Sequence, residues 1–369
     1  MRKIALLAIP LATSVFLAAC GNITNIQNQE EVKSSVQNEQ VASSSFYFTA
    51  NEGGISKIDA LTNKFIESIE VDGTVHNVQI SPDDKIIGAT IVPSGAHEEQ
   101  TEEKEPHSNH SVTGEEGHGT NVETNNGKVA FYNSDTNELI KEVEVGAHPA
   151  HIVFTENNQY ALVTNNGDNN VSVIDMKIYE VVHTIPTGNG PHGFRISLDS
   201  KFAYIANMNE NTVSVIDLEK MEETKKIIVG NAPVTTGVIA DGKILIATLN
   251  GENSLAIVEI ATEKLEKVAV GEGPAQVYVQ SDDKYAFVAN QGTPENPSNS
   301  VTKVDLETKE VVATIEVGKG AHGIVTDEDN KFVYVTNMYD NTVSVIDNKQ
   351  NEVIATLNVG EMPNGITIQ

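Results

Sequence analysis

The stretch Phe202-Ala-Tyr-Ile-Ala-Asn-Met-Asn-Glu-Asn-Thr-Val-Ser-Val-Ile-Asp217 holds two short runs rich in β-branched and aromatic residues. An Asn-rich polar segment separates them, so the stretch predicts a β-hairpin. Its second run recurs as Val171-Ser-Val-Ile-Asp175 and Val343-Ser-Val-Ile-Asp347, with weaker copies ending at Asp59, Asn133, Glu259 and Asp305. The steps 133→175, 175→217, 217→259 and 305→347 are each 42 residues. The step 259→305 is 46, an insertion of 4, and 59→133 is 74, an insertion of 32. Within one unit four β patterns follow each other: Pro191–Ser197, Phe202–Asn207, Thr212–Leu218 and Lys225–Val229. Four strands in about 40–45 residues is the spacing of a β-propeller blade. A β-solenoid is the alternative, but its rungs are shorter.

The expected fold is therefore all-β, a seven-bladed β-propeller of four-stranded blades. Tyr334-Val-Thr-Asn337 and Tyr204-Ile-Ala-Asn207 resemble the motif that names the YVTN β-propeller family, whose YncE-like members are repeat proteins of this kind. The resemblance covers about 320 residues, is specific for fold and carries little about function. The last copy stops after Pro363-Asn-Gly-Ile-Thr-Ile-Gln369, which is only a first strand. The first copy, from Phe46, holds strands two to four only. The N- and C-terminal strands are thus expected to share the last blade and close the ring, leaving no uncapped end.

Ahead of the repeats, Met1-Arg-Lys3 and an apolar run from Ile4 read as a secretory leader. Leu17-Ala-Ala-Cys20 resembles a bacterial lipobox, and the chain has no other Cys. The resemblance implies removal of residues 1–19, lipidation of Cys20 and an extracytoplasmic protein anchored by lipid to the bacterial cell membrane; two acyl chains suffice for a stable anchor. Residues 20–45 are polar, without apolar periodicity, and are expected to form a flexible tether ahead of the propeller at 46–369. Losing Arg2 and Lys3 with the leader takes the formal charge from −28 to −30. So acidic a chain excludes nucleic acid as a partner, since phosphates need a basic footprint. A single Cys excludes internal disulfides and a Cys-rich metal cluster. A monomer is expected.

Propeller sites lie on the face where inner strands begin. The equivalent inner-strand positions are His76, Ala150, His192, Val234, Ala275, His322 and Asn364, with His148 and His151 flanking the second. His76, His192 and His322 fall in blades 1, 3 and 6, an even spread that would point three imidazoles at the axis. Three His with an open fourth position is a known zinc coordination. The bland alternative is that Pro-His-Gly is repeat consensus and each His packs or caps a turn. Arg195, the single Arg beyond the leader, is a candidate for an anionic ligand or a carboxylate, and Asn364 and His148 are further ligand-binding candidates. The 32-residue insertion at 94–125 carries His97, His107, His110 and His118, with seven Glu between His97 and Gly119. Such a segment is too polar and charged to fold alone. Its mixed ligands suit Zn, Cu or Ni more than Ca or Mg, and it resembles the metal-gathering loops of extracytoplasmic zinc-binding proteins. The Asn-rich loops on the same face are mainly turn formers.

No GxSxG or HExxH motif is present, and the inner-strand positions lack the carboxylates a lactonase would need. The reading favours a non-enzymatic binding protein whose ligand is zinc or another transition metal, taken by the insertion and the channel-mouth His. The alternatives are a cell-surface scaffold for a protein partner, without metal, and a lactonase-like propeller hydrolase.

Overall fold

The computed structural model describes residues 45–93 and 126–369. The leader, Cys20, nearly all of the tether, and the insertion with His97, His107, His110 and His118 lie outside the described residues. The chain begins with β1 (Phe46–Asp59), β2 (Lys64–Ile80), β3 (Ile86–Val92), β4 (Asn126–Asn133) and β5 (Leu139–Ala147). Four strands follow per repeat. They are β6 (Pro149–Phe154), β7 (Tyr160–Asn165), β8 (Asn170–Asp175) and β9 (Glu180–Pro186), then β10 (Pro191–Ile196), β11 (Phe202–Asn207), β12 (Thr212–Asp217) and β13 (Glu222–Ile228). Next come β14 (Pro233–Val238), β15 (Ile244–Leu249), β16 (Ser254–Glu259) and β17 (Lys264–Ala269), then β18 (Pro274–Val279), β19 (Tyr285–Gly292), β20 (Pro297–Asp305) and β21 (Glu310–Glu316). The last are β22 (Ala321–Thr326), β23 (Phe332–Asn337), β24 (Thr342–Asp347), β25 (Glu352–Asn358) and β26 (Ile366–Ile368). A 3-10 turn at Asn250–Glu252 is the one helical element among the described residues.

All pairings are antiparallel, and the fold is a β-propeller of four-stranded units, as expected. The expected seven separate blades are corrected. Hydrogen bonding delimits six sheets, five of four strands and one of six ordered β26-β1-β2-β3-β4-β5. The cause lies in β1 and β2. Ala60 N–H donates to Ser45 C=O at 2.9 Å, so β1 folds back on itself, with Gly53 at φ 75 in the bend. Its first leg pairs with β26 and its second, Gly54–Asp59, with the start of β2. β2 then runs on through Gly73 and pairs with β3 from Thr74 to Ile80. A Glu52–Thr74 pairing carries the ladder across the junction where other repeats part. Seven sequence repeats therefore occupy six sheets. Inner strands contact one another in the circuit β2, β6, β10, β14, β18, β22, β26 and back to β2. Closure follows the expected route: Tyr47, Phe48 and Thr49 pair with Ile368, Thr367 and Ile366.

The repeated residues have physical jobs. The Asn ending strand two clasps the Ser of strand three: Asn165 to Ser172 (2.9 Å), Asn207 to Ser214 (2.8 Å) and Asn337 to Ser344 (2.8 Å). The Asp ending strand three accepts backbone N–H bonds in an Asx turn, as Asp217 does from Lys220 (3.0 Å) and Asp347 from Gln350 (2.8 Å). Between units the alternate side chains of each strand pack in dry layers, for example Phe194, Ile205 and Ile216 against Leu162 and Val173. Truncating one such buried Phe costs about 3–5 kcal/mol.

Candidate functional site

The inner strands begin irregularly. In β2, β6, β10, β14, β18 and β22 the pairing with strand two shifts register near the start, between Val75 and Asn77, Pro149 and Ile152, or Pro191 and Phe194. Bulges of this kind re-aim side chains. Here they fall at His76, at Ala150-His151 and at His192-Gly193. A Thr of strand two holds the bulges of β2, β6, β14 and β22, while β11 and β19 carry Ala206 and Ala289 at that position. Thr164 Oγ1 accepts from His151 N–H at 3.0 Å and donates to His192 C=O in the next unit at 2.8 Å. Thr90, Thr248 and Thr336 repeat the donation to Ala150, Ala275 and Asn364, each at 2.8 Å. One motif residue thus shapes the inner strand and ties it to its neighbour. Small residues keep the space open: a Cβ on Gly323 would collide with Asn364 O, and one on Gly193 with Thr235 Oγ1.

Three imidazoles gather there. His76, His151 and His192 each offer a nitrogen, and these nitrogens lie within 4.8 Å of one another. Ring centroids are 5.0–5.8 Å apart. His76 Nδ1 is 3.0 Å from Ala150 O, and His192 Nδ1 is 3.2 Å from Val234 O. A carbonyl oxygen only accepts, so Nδ1 carries the proton in both rings and Nε2 carries the lone pair. A backbone carbonyl on the distal nitrogen is the usual support of a metal-binding His. Burial lowers His192 to about 3, helped by His76 and His322 and opposed by the Val234 carbonyl. Burial also holds His151 well below the ordinary range, with His192, His76, Arg195 and His322 acting the same way. Both rings are neutral near pH 7, the form that binds metals. A tetrahedral zinc with bonds of about 2.0–2.1 Å needs nitrogens about 3.4 Å apart, so the rings would close in by roughly 1 Å.

The membership corrects the expectation of an even ring. The three neighbours come from consecutive inner strands β2, β6 and β10, and His322 is not among them. His151, placed in sequence as a flanking residue, is central. It follows Ala150, whose small side chain occupies the aligned position, and the two-residue bulge lets the next side chain reach inward. The available signal was that bulge, which strict strand alternation hides. His322 is buried, and burial brings it down to about 4, with His76 adding to the shift and the Asn364 backbone opposing it. Among the described residues, none gives a hydrogen-bond partner to the buried His151 Nε2, His322 Nδ1 or Asn364 Oδ1. Such atoms are rare in native interiors.

Above the cluster lies a cavity of about 890 Å³ bordered by His76, His148, His192, Met208, Met338 and Asn364 among others. Asn166, Asn169 and Asn209 also border it, so the Asn-rich loops form its wet rim. Val92, the last strand residue before the insertion, borders it too. His148 sits at the mouth in a left-handed conformation (φ 48), where equivalent positions include Gly190, Gly273 and Gly320. Arg195 is not on this face. It lines a second cavity at the far ends of the inner strands.

Comparison with known proteins agrees with this architecture. A family model described as YNCE-like beta-propeller matches residues 134–285 and 280–369. No curated protein matches the chain. Among solved structures, Kuenenia stuttgartiensis hydrazine synthase superposes with a TM-score of 0.66 at 19% identity, covering 82% of this chain and 93% of that one. A functionally unknown protein from Desulfotomaculum acetoxidans gives 0.68 at 15% identity, covering 88% and 98%. A candidate 6-phosphogluconolactonase from Bacteroides uniformis gives 0.67 at 14% identity, covering 88% and 99%. At these identities the likeness is one of fold. The family match spans well over half of the sequence, and the chain belongs to the YNCE-like β-propeller family.

Proposed function

We propose that this propeller is a non-enzymatic binding protein that holds a transition metal ion at His76, His151 and His192. The observation that carries the reading is the approach of three imidazole nitrogens to within 4.8 Å, in rings two of which have their tautomer set by a backbone carbonyl. Zinc and copper suit imidazole, and the thioethers of Met208 and Met338 on the same cavity widen the choice to copper(I). His97, His107, His110 and His118 would gather the ion and pass it inward. Cys20 would carry the lipid that fixes the protein to the outer side of the bacterial cell membrane.

Titration calorimetry of the propeller with Zn²⁺, Cu²⁺ and Ni²⁺ tests the centre. One tight site per chain is expected, surviving replacement of all four insertion His by Ala. Heat that disappears with those four replacements would move binding to the insertion, and no heat at all would end the metal reading. The anchor has its own test: Cys20→Ser should release the protein into the medium, and unchanged membrane retention would remove the lipid.

A further inference from the structure

We infer that the opposite mouth of the channel is a second binding site, for a small zwitterionic carboxylate such as an amino acid. Arg195 makes one hydrogen bond among the described residues, Nη1 to Phe194 C=O at 2.9 Å, and rests 5.6 Å from the Tyr278 ring centroid. A guanidinium has five N–H donors, so most of its capacity is unspent. None of the ion pairs among the described residues includes it. It borders a cavity of about 490 Å³ together with Tyr278, Glu156, Asp84, Asp327 and Gln79.

Glu156, Asp84 and Asp327 are likewise outside the ion pairs among the described residues, although Asp327 Oδ1 accepts the backbone N–H groups of Lys331 (2.6 Å) and Phe332 (2.9 Å). Burial raises the carboxyls of Glu156, Asp327 and Asp84, and Arg195 is not among the influences on any of the three. A half-buried Arg195 thus shares one cavity with a half-buried Asp327 and with the exposed Glu156 and Asp84, and no ion pair joins them. Leaving charges desolvated and unpaired is costly. A ligand carrying both signs resolves both deficits: its carboxylate takes the Arg195 fork, the usual bidentate partner, and its ammonium faces Glu156 and Asp327. A polyanion is disfavoured by the surrounding carboxylates, and a simple cation by Arg195. This site shares no residue with the metal centre.

Calorimetry or ligand-observed NMR with metal-free protein and a panel of alanine, glutamate, acetate and inorganic phosphate tests the site. An amino acid should bind more tightly than acetate, and phosphate should bind more weakly than both. Arg195→Met should weaken the amino acid by about ten- to hundredfold, the worth of a charge-assisted hydrogen bond. Glu156→Gln should weaken the amino acid and spare acetate. Thermal melting confirms that both variants fold; if Arg195→Met unfolds, Arg195→Lys is expected to retain weakened binding. Absence of any amino-acid binding, phosphate binding as tight as the amino acid, or affinity unchanged by Arg195→Met would each overturn the assignment.

Discussion

The two mouths of the channel are built on the same inner strands and differ in what they do with charge. At the starting end, bulges bring three imidazoles together and burial keeps His151 and His192 neutral. At the far end the strands are regular, and Arg195 stays charged among acids that it does not pair. One end avoids charge by losing protons, which His does readily near neutral pH. The other cannot, because a guanidinium does not deprotonate in a protein. His192 and Arg195 lie three residues apart on β10, about 10 Å along a strand. One short strand therefore carries a site suited to a cation and a site suited to a carboxylate.

Both sites require a closed ring, so the largest effect should come from opening it. Ending the chain after Gly360 removes β26, its pairing with Tyr47–Thr49, and the Asn364 carbonyl that receives Thr336 Oγ1. It also exposes Tyr47 and Tyr334, whose tilted rings pack with centroids 4.8 Å apart. The expected loss is more than about 5 kcal/mol, comparable to the whole stability of a domain. Circular dichroism should show a broad, early melt with both binding activities gone; an unchanged melting temperature would sink the closure argument.

Acid should separate the two ends next. His192 is lowered to about 3 and His322 to about 4 from an unfolded value near 6.5, so between those limits the unfolded chain binds more protons. Stability is then full above pH 6.5 and falls as pH drops toward 3. The expected loss is on the order of 3 kcal/mol across that window, given partial hydration of the channel. Denaturant melts at pH 7 and pH 4.5 measure it, and His192→Gln should flatten the slope. A slope that His192→Gln leaves untouched would mean that the rings are solvated and titrate normally.

How much of this was legible beforehand differs between the same regions. The repeat, the strand order and the terminal closure follow from local patterns, because the 42-residue spacing and the Tyr-Val-Thr-Asn and Val-Ser-Val-Ile-Asp runs report backbone pairing directly. His76 and His192 were legible as aligned positions. His151 was not central in that alignment, because a bulge adds a residue that strand alternation does not count. Sheet number was hidden as well: whether β2 breaks at Gly73 depends on the Glu52–Thr74 pairing across repeats, a tertiary contact. Arg195 was visible as a candidate for an anion or a carboxylate, but the cavity it borders was not, and Tyr278 gave no signal except being aromatic on an inner strand. Arg195 and Tyr278 meet across β10 and β18, a tertiary contact.

His192→Ala offers a smaller, local break. Loss of one ligand of three should weaken metal binding by at least the roughly ten- to hundredfold that losing a ligand's hydrogen-bond partner costs. Amino-acid binding at Arg195 should be unchanged in the same variant. A metal affinity equal to that of the unmodified protein would take His192 out of the centre, and a parallel fall at both ends would mean that the variant had damaged the ring.

The smallest expected effect probes whether the two ends sense each other. Arg195 contributes to the lowering of His151, so its field reaches the imidazole cluster. That field opposes a metal ion for the same reason that it opposes a proton. At about 10 Å in a water-like medium it is worth roughly 0.4 kcal/mol per unit charge, and about twice that for a dication. Arg195→Met should therefore strengthen Zn²⁺ binding by about fourfold while it weakens the carboxylate site. The gain should shrink in high salt, since a wet channel screens the interaction. Competition titration against a chromophoric chelator at low and high ionic strength resolves a change of that size. A weaker metal site in Arg195→Met would contradict the electrostatic argument, because loss of a like charge cannot repel a cation.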